Sequence, residues 1–236
     1  MKVRKADFAG SWYPGTESQC RTAIEEFSDA SIPCPGECEE VLGGIVPHAG
    51  WFYSGKIACN VFKCLNHESE PDTCIIFGRH LHPAGDNYIM KEGRWDTPLG
   101  ELEIDTELAT KLAAEFRFTV ESPSHYDQDN TIELQLPFIK YFFPKIKIVP
   151  IGLPPRLDSL RIAARAAEIS KMLGRKIRVV GSTDLTHYGY NYGYTPKGTG
   201  KDAVEWVKNV NDKRVVDLMI SMDGEGVIRE SLDNHN

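Results

Sequence analysis

Four histidines and one aspartate stand just beyond apolar runs in three separate parts of the chain. The motifs VPHAG, FGRHLHP and STDLTH contain them, as His48, His80, His82, Asp184 and His187. Imidazole nitrogen is the commonest neutral ligand for iron, copper and zinc. Two histidines and one carboxylate with open positions are typical of non-haem Fe(II), although a carboxylate can equally orient a ligand ring from behind. The pattern therefore indicates a metal site.

Each of these residues also has an ordinary structural explanation. A single loop histidine is more often hydrogen-bonded than metal-bound, and Asp184 can cap a turn in which His187 bonds locally. The spacing alone leaves both interpretations open. A nucleophilic triad has less support, because Ser182 lacks a GxSxG elbow. No GxGxxG or P-loop motif follows a predicted strand, so nucleotide binding has no support either.

The histidine motifs must be positioned by the apolar runs that precede them. Short runs rich in β-branched residues predict strands, and the longer periodic segments between them predict helices. The predicted strands are 41–46, 73–78, 145–153 and 176–183, and the predicted helices are 50–65, 106–116, 131–143 (kinked at Pro137), 158–173 and 201–222. This alternation predicts an α/β sandwich with a central, largely parallel sheet flanked by helices. In such sheets, sites form beyond the carboxyl ends of the strands.

Length and composition favour one globular domain over residues 1–236. The net charge is −7 with no basic tract, which argues against nucleic acid and anionic membranes as partners. No window of 18 apolar residues and no signal-peptide pattern occur, so the expected location is the cytoplasm. The cysteines form no CxxC motif and are expected to be free thiols in that reducing compartment. They are Cys20, Cys34, Cys38, Cys59, Cys64 and Cys74.

Five sequence blocks, in order, resemble the signature blocks of one known family. They are AGSWYPG (9–15), VPHAGWFYSG (46–55), WDTPLGELEID (95–105), NTIELQLPFIKYFFP (130–144) and STDLTHYG (182–189). They look like those of the Memo family, whose prokaryotic members are called AmmeMemoRadiSam system protein B. The resemblance runs through nearly the whole chain, and the combination of blocks is more specific than any single one.

The resemblance implies a fold similar to class III extradiol dioxygenases of the LigB type, which hold Fe(II) with two histidines and a carboxylate. It implies His48 as one ligand and a second ligand from the FG-x-H region. It places Asp184 and His187 beside the metal, as ligands or catalytic groups. Copper or zinc are alternatives to Fe(II), and AMMECR1-like and radical SAM proteins are implied as partners.

The chain departs from the family pattern at three points. The second histidine turn reads GRHLH, so His80 and His82 compete for the ligand position. In the block that many relatives write as EHSIE, Asn130 replaces the histidine while Glu133 is retained. Relatives continue to a cysteine motif that contributes to the pocket, so we expect this chain to lack either a C-terminal piece or that thiolate.

Three functions are compatible with these residues. The first is an iron-dependent oxidoreductase acting on a small molecule. The second is a hydrolase that uses a metal-activated water, which the sequence does not distinguish from the first. The third is a non-catalytic protein that binds metal or a peptide in the same cleft. There Trp51, Phe52 and Tyr53 can form an aromatic wall, although core packing is the favoured explanation for them. Glu133, among apolar neighbours, is expected to face the pocket with a partner such as a histidine ring.

Overall fold

The computed structural model describes residues 2–29, 32–34, 41–66 and 70–234. His67, His235 and Cys38 lie outside the described residues. The chain divides into two compact units, Met1–Pro154 with Ile162–Thr183, and Pro155–Arg161 with Asp184–Asn236. A single domain over residues 1–236 stays a prediction.

The first unit is built on one large mixed sheet. Its described strands are β1 (Val3–Arg4), β2 (Gly43–Val46), β3 (Thr73–Gly78), β4 (Tyr88–Met90), β5 (Arg94–Trp95), β6 (Leu102–Ile104), β7 (Thr119–Glu121), β8 (Lys147–Gly152) and β9 (Ile177–Ser182). Their order is β1-β5-β6-β8-β3-β9-β2, with β4 pairing with both β8 and β7. Only the β5–β6 and β4–β8 pairs are antiparallel among these strands. The predicted α/β class with a largely parallel sheet is confirmed.

The strands that precede the histidine motifs are neighbours. Strand β9 pairs in parallel with β3 on one side and with β2 on the other. Val46 is in register with Ser182, and Phe77 is in register with Gly181. The carboxyl ends of the three strands therefore lie side by side at one edge, as the sequence predicts.

Helices follow most of the predicted segments. The first unit contains α1 (Glu17–Asp29), α2 (Trp51–Leu65), α3 (Thr106–Glu115), α4 (Asn130–Glu133) and α5 (Leu136–Phe142), and α6 spans Leu157–Met172. The second unit contains a 3-10 turn (Tyr190–Tyr192), α7 (Lys201–Trp206), a π-helical segment (Val207–Asn211), α8 (Asp212–Ile220) and α9 (Gly224–Asn234). No helix among the described residues has both the length and the apolar character required to cross a bilayer.

The single helix predicted over 131–143 is wrong in one respect. The segment forms two helices, and Pro137 lies in the first turn of α5 instead of kinking a continuous helix. Proline is suited to that place because its missing N–H would have no partner in the first turn of a helix. Asp129 caps the short α4 by accepting a bond from the Ile132 N–H at 3.0 Å.

The aromatic residues at the start of α2 divide between core and surface. Trp51 is only 3% exposed, stacks on Phe138 at 4.1 Å between ring centroids, and donates its indole N–H to the Leu134 carbonyl at 3.0 Å. Phe52 and Tyr53 are 91% and 80% exposed. Core packing therefore accounts for Trp51, while the role of Trp51, Phe52 and Tyr53 as an aromatic wall for a ligand stays a prediction.

The expectation of free thiols is wrong for one pair of cysteines. Cys34 and Cys64 form a disulfide, with their Cα atoms 5.5 Å apart. That separation is within the range that a disulfide spans without moving the backbone. Cys20, Cys59 and Cys74 are buried free thiols. Burial raises the pKa of Cys20 to about 11 and that of Cys74 to about 12, so these two thiols stay protonated at neutral pH.

Replacing Trp51 by alanine should lower the free energy of unfolding by about 3–5 kcal/mol, since it removes a fully packed aromatic ring and leaves a cavity. The neighbouring exposed ring is the matched control, and Phe52→Ala should change the free energy by no more than about 0.5 kcal/mol. Urea unfolding followed by circular dichroism measures both. Equal effects of the two substitutions would contradict the core placement of Trp51.

Candidate functional site

His48 is the most firmly placed of the candidate residues. It follows β2, is 5% exposed, and its Nδ1 lies 3.1 Å from the hydroxyl of Ser182 at the end of β9. The Ser182 hydroxyl donates to the Thr131 carbonyl at 2.7 Å. The His48 carbonyl accepts a bond from the Asn130 side chain at 3.2 Å. Both the ring and the backbone of His48 are therefore held from the α4 segment.

His80 meets His48 at the same edge of the sheet. It follows β3, is exposed, and its ring lies edge-on to the His48 ring with 4.8 Å between centroids. The residue before it, Arg79, has a φ of +79°, an uncommon conformation for a side-chain-bearing residue. The Arg79 N–H donates to the Thr131 hydroxyl at 2.7 Å. This turn directs the chain so that His80 contacts His48.

His82, the competing histidine, is held by its own turn. Its Nδ1 accepts a bond from the Ala84 N–H at 3.2 Å, and its carbonyl accepts one from the Gly85 N–H at 2.7 Å. The side chain is exposed. The contact with His48 that the structure records belongs to His80, so His80 is the better candidate for the second ligand.

Arg79 is also fixed by its side chain. Its guanidinium lies 2.6 Å from Glu121, which also binds the buried Arg4 at 3.1 Å, and it packs over the ring of Tyr88 at 4.0 Å. Arg4 is held between aromatic rings, with its guanidinium carbon 3.6 Å from the centre of the Trp95 ring. Burial lowers the pKa of Arg4, and the carboxylate of Glu121 partly offsets this effect. The strained turn at Arg79 is thus anchored on a buried ion-pair cluster.

Glu133 is completely buried and has partners, as expected, but they do not include a histidine ring. It accepts bonds from the Phe8 N–H at 2.7 Å, from the Asp7 N–H at 3.0 Å and from the Tyr13 hydroxyl at 3.0 Å. Burial raises the pKa of the Glu133 carboxyl, and the three donated bonds offset only part of that rise. Glu133 therefore ties the N-terminal loop to α4, while a role in ligand binding stays a prediction.

Asp184 and His187 belong to the second unit. His187 Nε2 lies 3.7 Å from an Asp184 carboxylate oxygen, and its ring stacks on Tyr192 with 4.9 Å between centroids. The two side chains are therefore neighbours in the loop, at a separation longer than a hydrogen bond. Their roles as metal ligands or catalytic groups stay predictions.

Several residues of the site carry no sequence signal strong enough to select them. Thr131 and Ser182 bond to the two histidine segments, and Gln135 donates from its amide to the Pro47 carbonyl at 3.0 Å. Asn130, which bonds to the His48 carbonyl, could have been found, because it stands where the sequence block that this segment resembles has a histidine. The others are hydroxyls and amides of ordinary type.

The described side chains at this edge are of the type that binds transition metals, but they are fewer than a complete site needs. Two imidazole rings in contact at a sheet edge suit iron, copper or zinc. Within the ranges that the structure describes, no three His, Cys, Asp or Glu side chains are grouped as a metal site. The described side chains of this edge therefore offer two imidazole rings that could act as ligands, and a full metal site would need at least one more ligand or water.

The fold and this edge define a class: an α/β protein whose parallel strands present histidines at their carboxyl ends. A family model described as Memo-like protein matches residues 4–236. A MEMO1 family protein of Pyrobaculum aerophilum is 36% identical over 196 residues, covering 80% of this chain and 70% of that protein. MEMO1 family proteins of Pyrococcus abyssi and Thermococcus kodakarensis are each 32% identical, over 97% of this chain and 80% of theirs. The chain belongs to the Memo family, which confirms the resemblance of its sequence blocks.

Glu133→Gln should lower the free energy of unfolding by about 1–3 kcal/mol, because the new amide NH₂ must face one of three buried donors. Tyr13→Phe is the matched variant: it removes a single neutral donor and should cost only about 1 kcal/mol. Chemical denaturation of both variants measures this order. A Glu133→Gln protein as stable as the wild type would contradict the anchoring role.

Proposed function

We propose that this Memo-family protein binds a transition-metal ion at the carboxyl edge of its sheet, through His48 and His80. Fe(II) is the proposed ion, with copper or zinc as alternatives. The observation that carries the proposal is the contact between the two rings, 4.8 Å apart between centroids, presented by segments that follow two strands of one sheet. Sequence separation gives these rings no reason to meet, whereas a shared ion does.

The difference in exposure between the two rings supports a site that is accessible to solvent on one side. His48 is buried and His80 is exposed, so the edge is closed on the core side and accessible on the other. A small molecule can approach from the accessible side. An Fe(II) ion held here would supply redox chemistry toward dioxygen. The chain's own contribution is to hold the imidazole rings of His48 and His80 in contact, while the predicted roles of Asp184 and His187 as carboxylate ligand and base stay predictions.

We propose oxidoreduction of a small molecule as the activity, in a fold like the LigB-type dioxygenases, and the cytoplasm as the location. A hydrolase that uses a metal-activated water shares every residue of this proposal. The fold by itself does not select between these reactions, because one fold supports many chemistries.

A second candidate function is binding without catalysis, with AMMECR1-like and radical SAM proteins as proposed partners. The exposed Phe52 and Tyr53 favour it, since their rings contact each other at 5.0 Å between centroids on the surface of α2. Large exposed aromatic side chains are typical of protein interfaces. Loss of binding to a purified partner in the Phe52→Ala, Tyr53→Ala double variant, with metal content unchanged, would support this function.

Metal content separates the proposed ligands from the neighbouring histidine. Protein purified anaerobically and loaded with Fe(II) should retain metal as wild type and as His82→Ala. His48→Ala and His80→Ala should each lose at least about tenfold in affinity, since each removes one of two described ligands. Elemental analysis after desalting is the measurement.

Two results would overturn the metal proposal. One is equal metal content in wild type and His48→Ala. The other is a loss of metal in His82→Ala as large as that in His80→Ala. Such a result would show that substitutions in the GRHLH turn act only by disturbing its conformation. An oxygen-uptake screen with catechols on the loaded protein then tests the oxidoreductase activity, and uptake absent from His48→Ala is the expected result.

A further inference from the structure

We infer that Ser182 and Thr131 are positioning residues for the two histidines. Ser182 fixes the ring of His48 as the Nδ1–H tautomer, and Thr131 holds the turn that presents His80. The inference deepens the proposed function, on which its relevance to metal binding rests, but the arrangement itself is a property of the metal-free chain.

The direction of each hydrogen bond follows from the groups involved. A carbonyl oxygen only accepts hydrogen bonds. The Ser182 hydroxyl must therefore donate its one hydrogen to the Thr131 carbonyl, 2.7 Å away. The Ser182 oxygen is then left as an acceptor toward its other neighbours. One of these is the Gln135 amide NH₂ at 3.4 Å, which is itself a donor.

The tautomer of His48 follows from that direction. Its Nδ1 lies 3.1 Å from the Ser182 oxygen, which has no hydrogen left to give, so Nδ1 must carry the proton. In a neutral imidazole the other nitrogen, Nε2, then holds the lone pair. A metal ligand is usually oriented in this way, by a hydrogen bond from its second nitrogen that fixes both tautomer and ring direction.

Thr131 acts on the second histidine by the same logic. Its hydroxyl donates to the acceptor-only carboxylate of Asp129 at 2.6 Å, and can therefore only accept from the Arg79 N–H at 2.7 Å. The left-handed conformation of Arg79 is unfavourable for a residue with a side chain and needs such support. A side chain at Gly78 would collide with the Thr131 hydroxyl, so the close approach of β3 requires glycine there.

The two residues should therefore be separable by experiment. The carbonyl of Thr131 serves His48, while its hydroxyl serves the Arg79–His80 turn. Thr131→Val keeps the carbonyl and the shape but removes the hydroxyl. It should leave the His48 tautomer unchanged, whereas Ser182→Ala should not.

Nitrogen-15 NMR of the imidazoles in metal-free protein, kept in chelator at a pH where the rings are neutral, reads the tautomer directly. Wild type and Thr131→Val should show a protonated Nδ1 and an unprotonated Nε2 for His48. Ser182→Ala should show a mixture of tautomers, and Ser182→Thr, which restores a hydroxyl, should return the wild-type signature. Assignment uses the resonances missing from His48→Ala.

The wild-type spectrum alone can overturn the inference: a His48 ring protonated at Nε2 contradicts it, even if no Ser182 variant folds. A folded Ser182→Ala protein with the wild-type signature also contradicts it. Metal titration is the second readout, and Ser182→Ala should bind about 10–100-fold more weakly than wild type. A wild type with the expected tautomer that binds no metal would instead refute the proposed function and leave this inference standing.

Discussion

The parallel pairing of β9 with β3 and β2 is the constraint on which the candidate site depends. It sets Val46 opposite Ser182 and Phe77 opposite Gly181, so the chain leaves all three strands at one level. Side chains alternate between the faces of a strand, and a slip of one residue would turn Ser182 to the opposite face. The bond from His48 to Ser182 can therefore form only in this register. The apolar packing that specifies the register also specifies the polar contacts at its end.

A second constraint comes from the other side of the site. The short helix α4 carries Asn130 and Thr131, which reach His48 and the Arg79 turn, and a helix of four residues has little stability of its own. It is held by its Asp129 cap and by Glu133, whose carboxylate binds the N-terminal loop. The N-terminal signature block thus contributes to the site indirectly, because its Tyr13 and the loop before it fix the helix that fixes the histidines.

The sequence is sufficient to predict the strands β2, β3, β8 and β9 and the edge of the sheet at which His48 and His80 meet. Runs such as TCIIFG are continuous and β-branched because both faces of a central parallel strand are buried. Other features depend on tertiary contacts that no local pattern contains. The contact between His80 and His48 follows from the conformation of Arg79, which is set by Thr131 and Glu121 far along the chain. The partners of Glu133 come from residues more than 100 positions away. The exposure of Phe52 beside the buried Trp51 depends on which side of α2 meets α5.

Burying the polar network at the strand ends costs desolvation free energy, which offsets most of what its hydrogen bonds contribute to stability. Buried hydroxyls and carboxylates contribute little net stability even when every bond is made, and an apolar strand end of the same shape would be about as stable. A fully bonded network instead selects one arrangement of its side chains, because rotation of any one of them leaves a buried donor or acceptor without its partner. Asp129, Thr131 and Ser182 are all buried, and each makes the bonds described above. Such a network therefore holds the ring of His48 and the turn before His80 in one arrangement while adding little net stability to the fold.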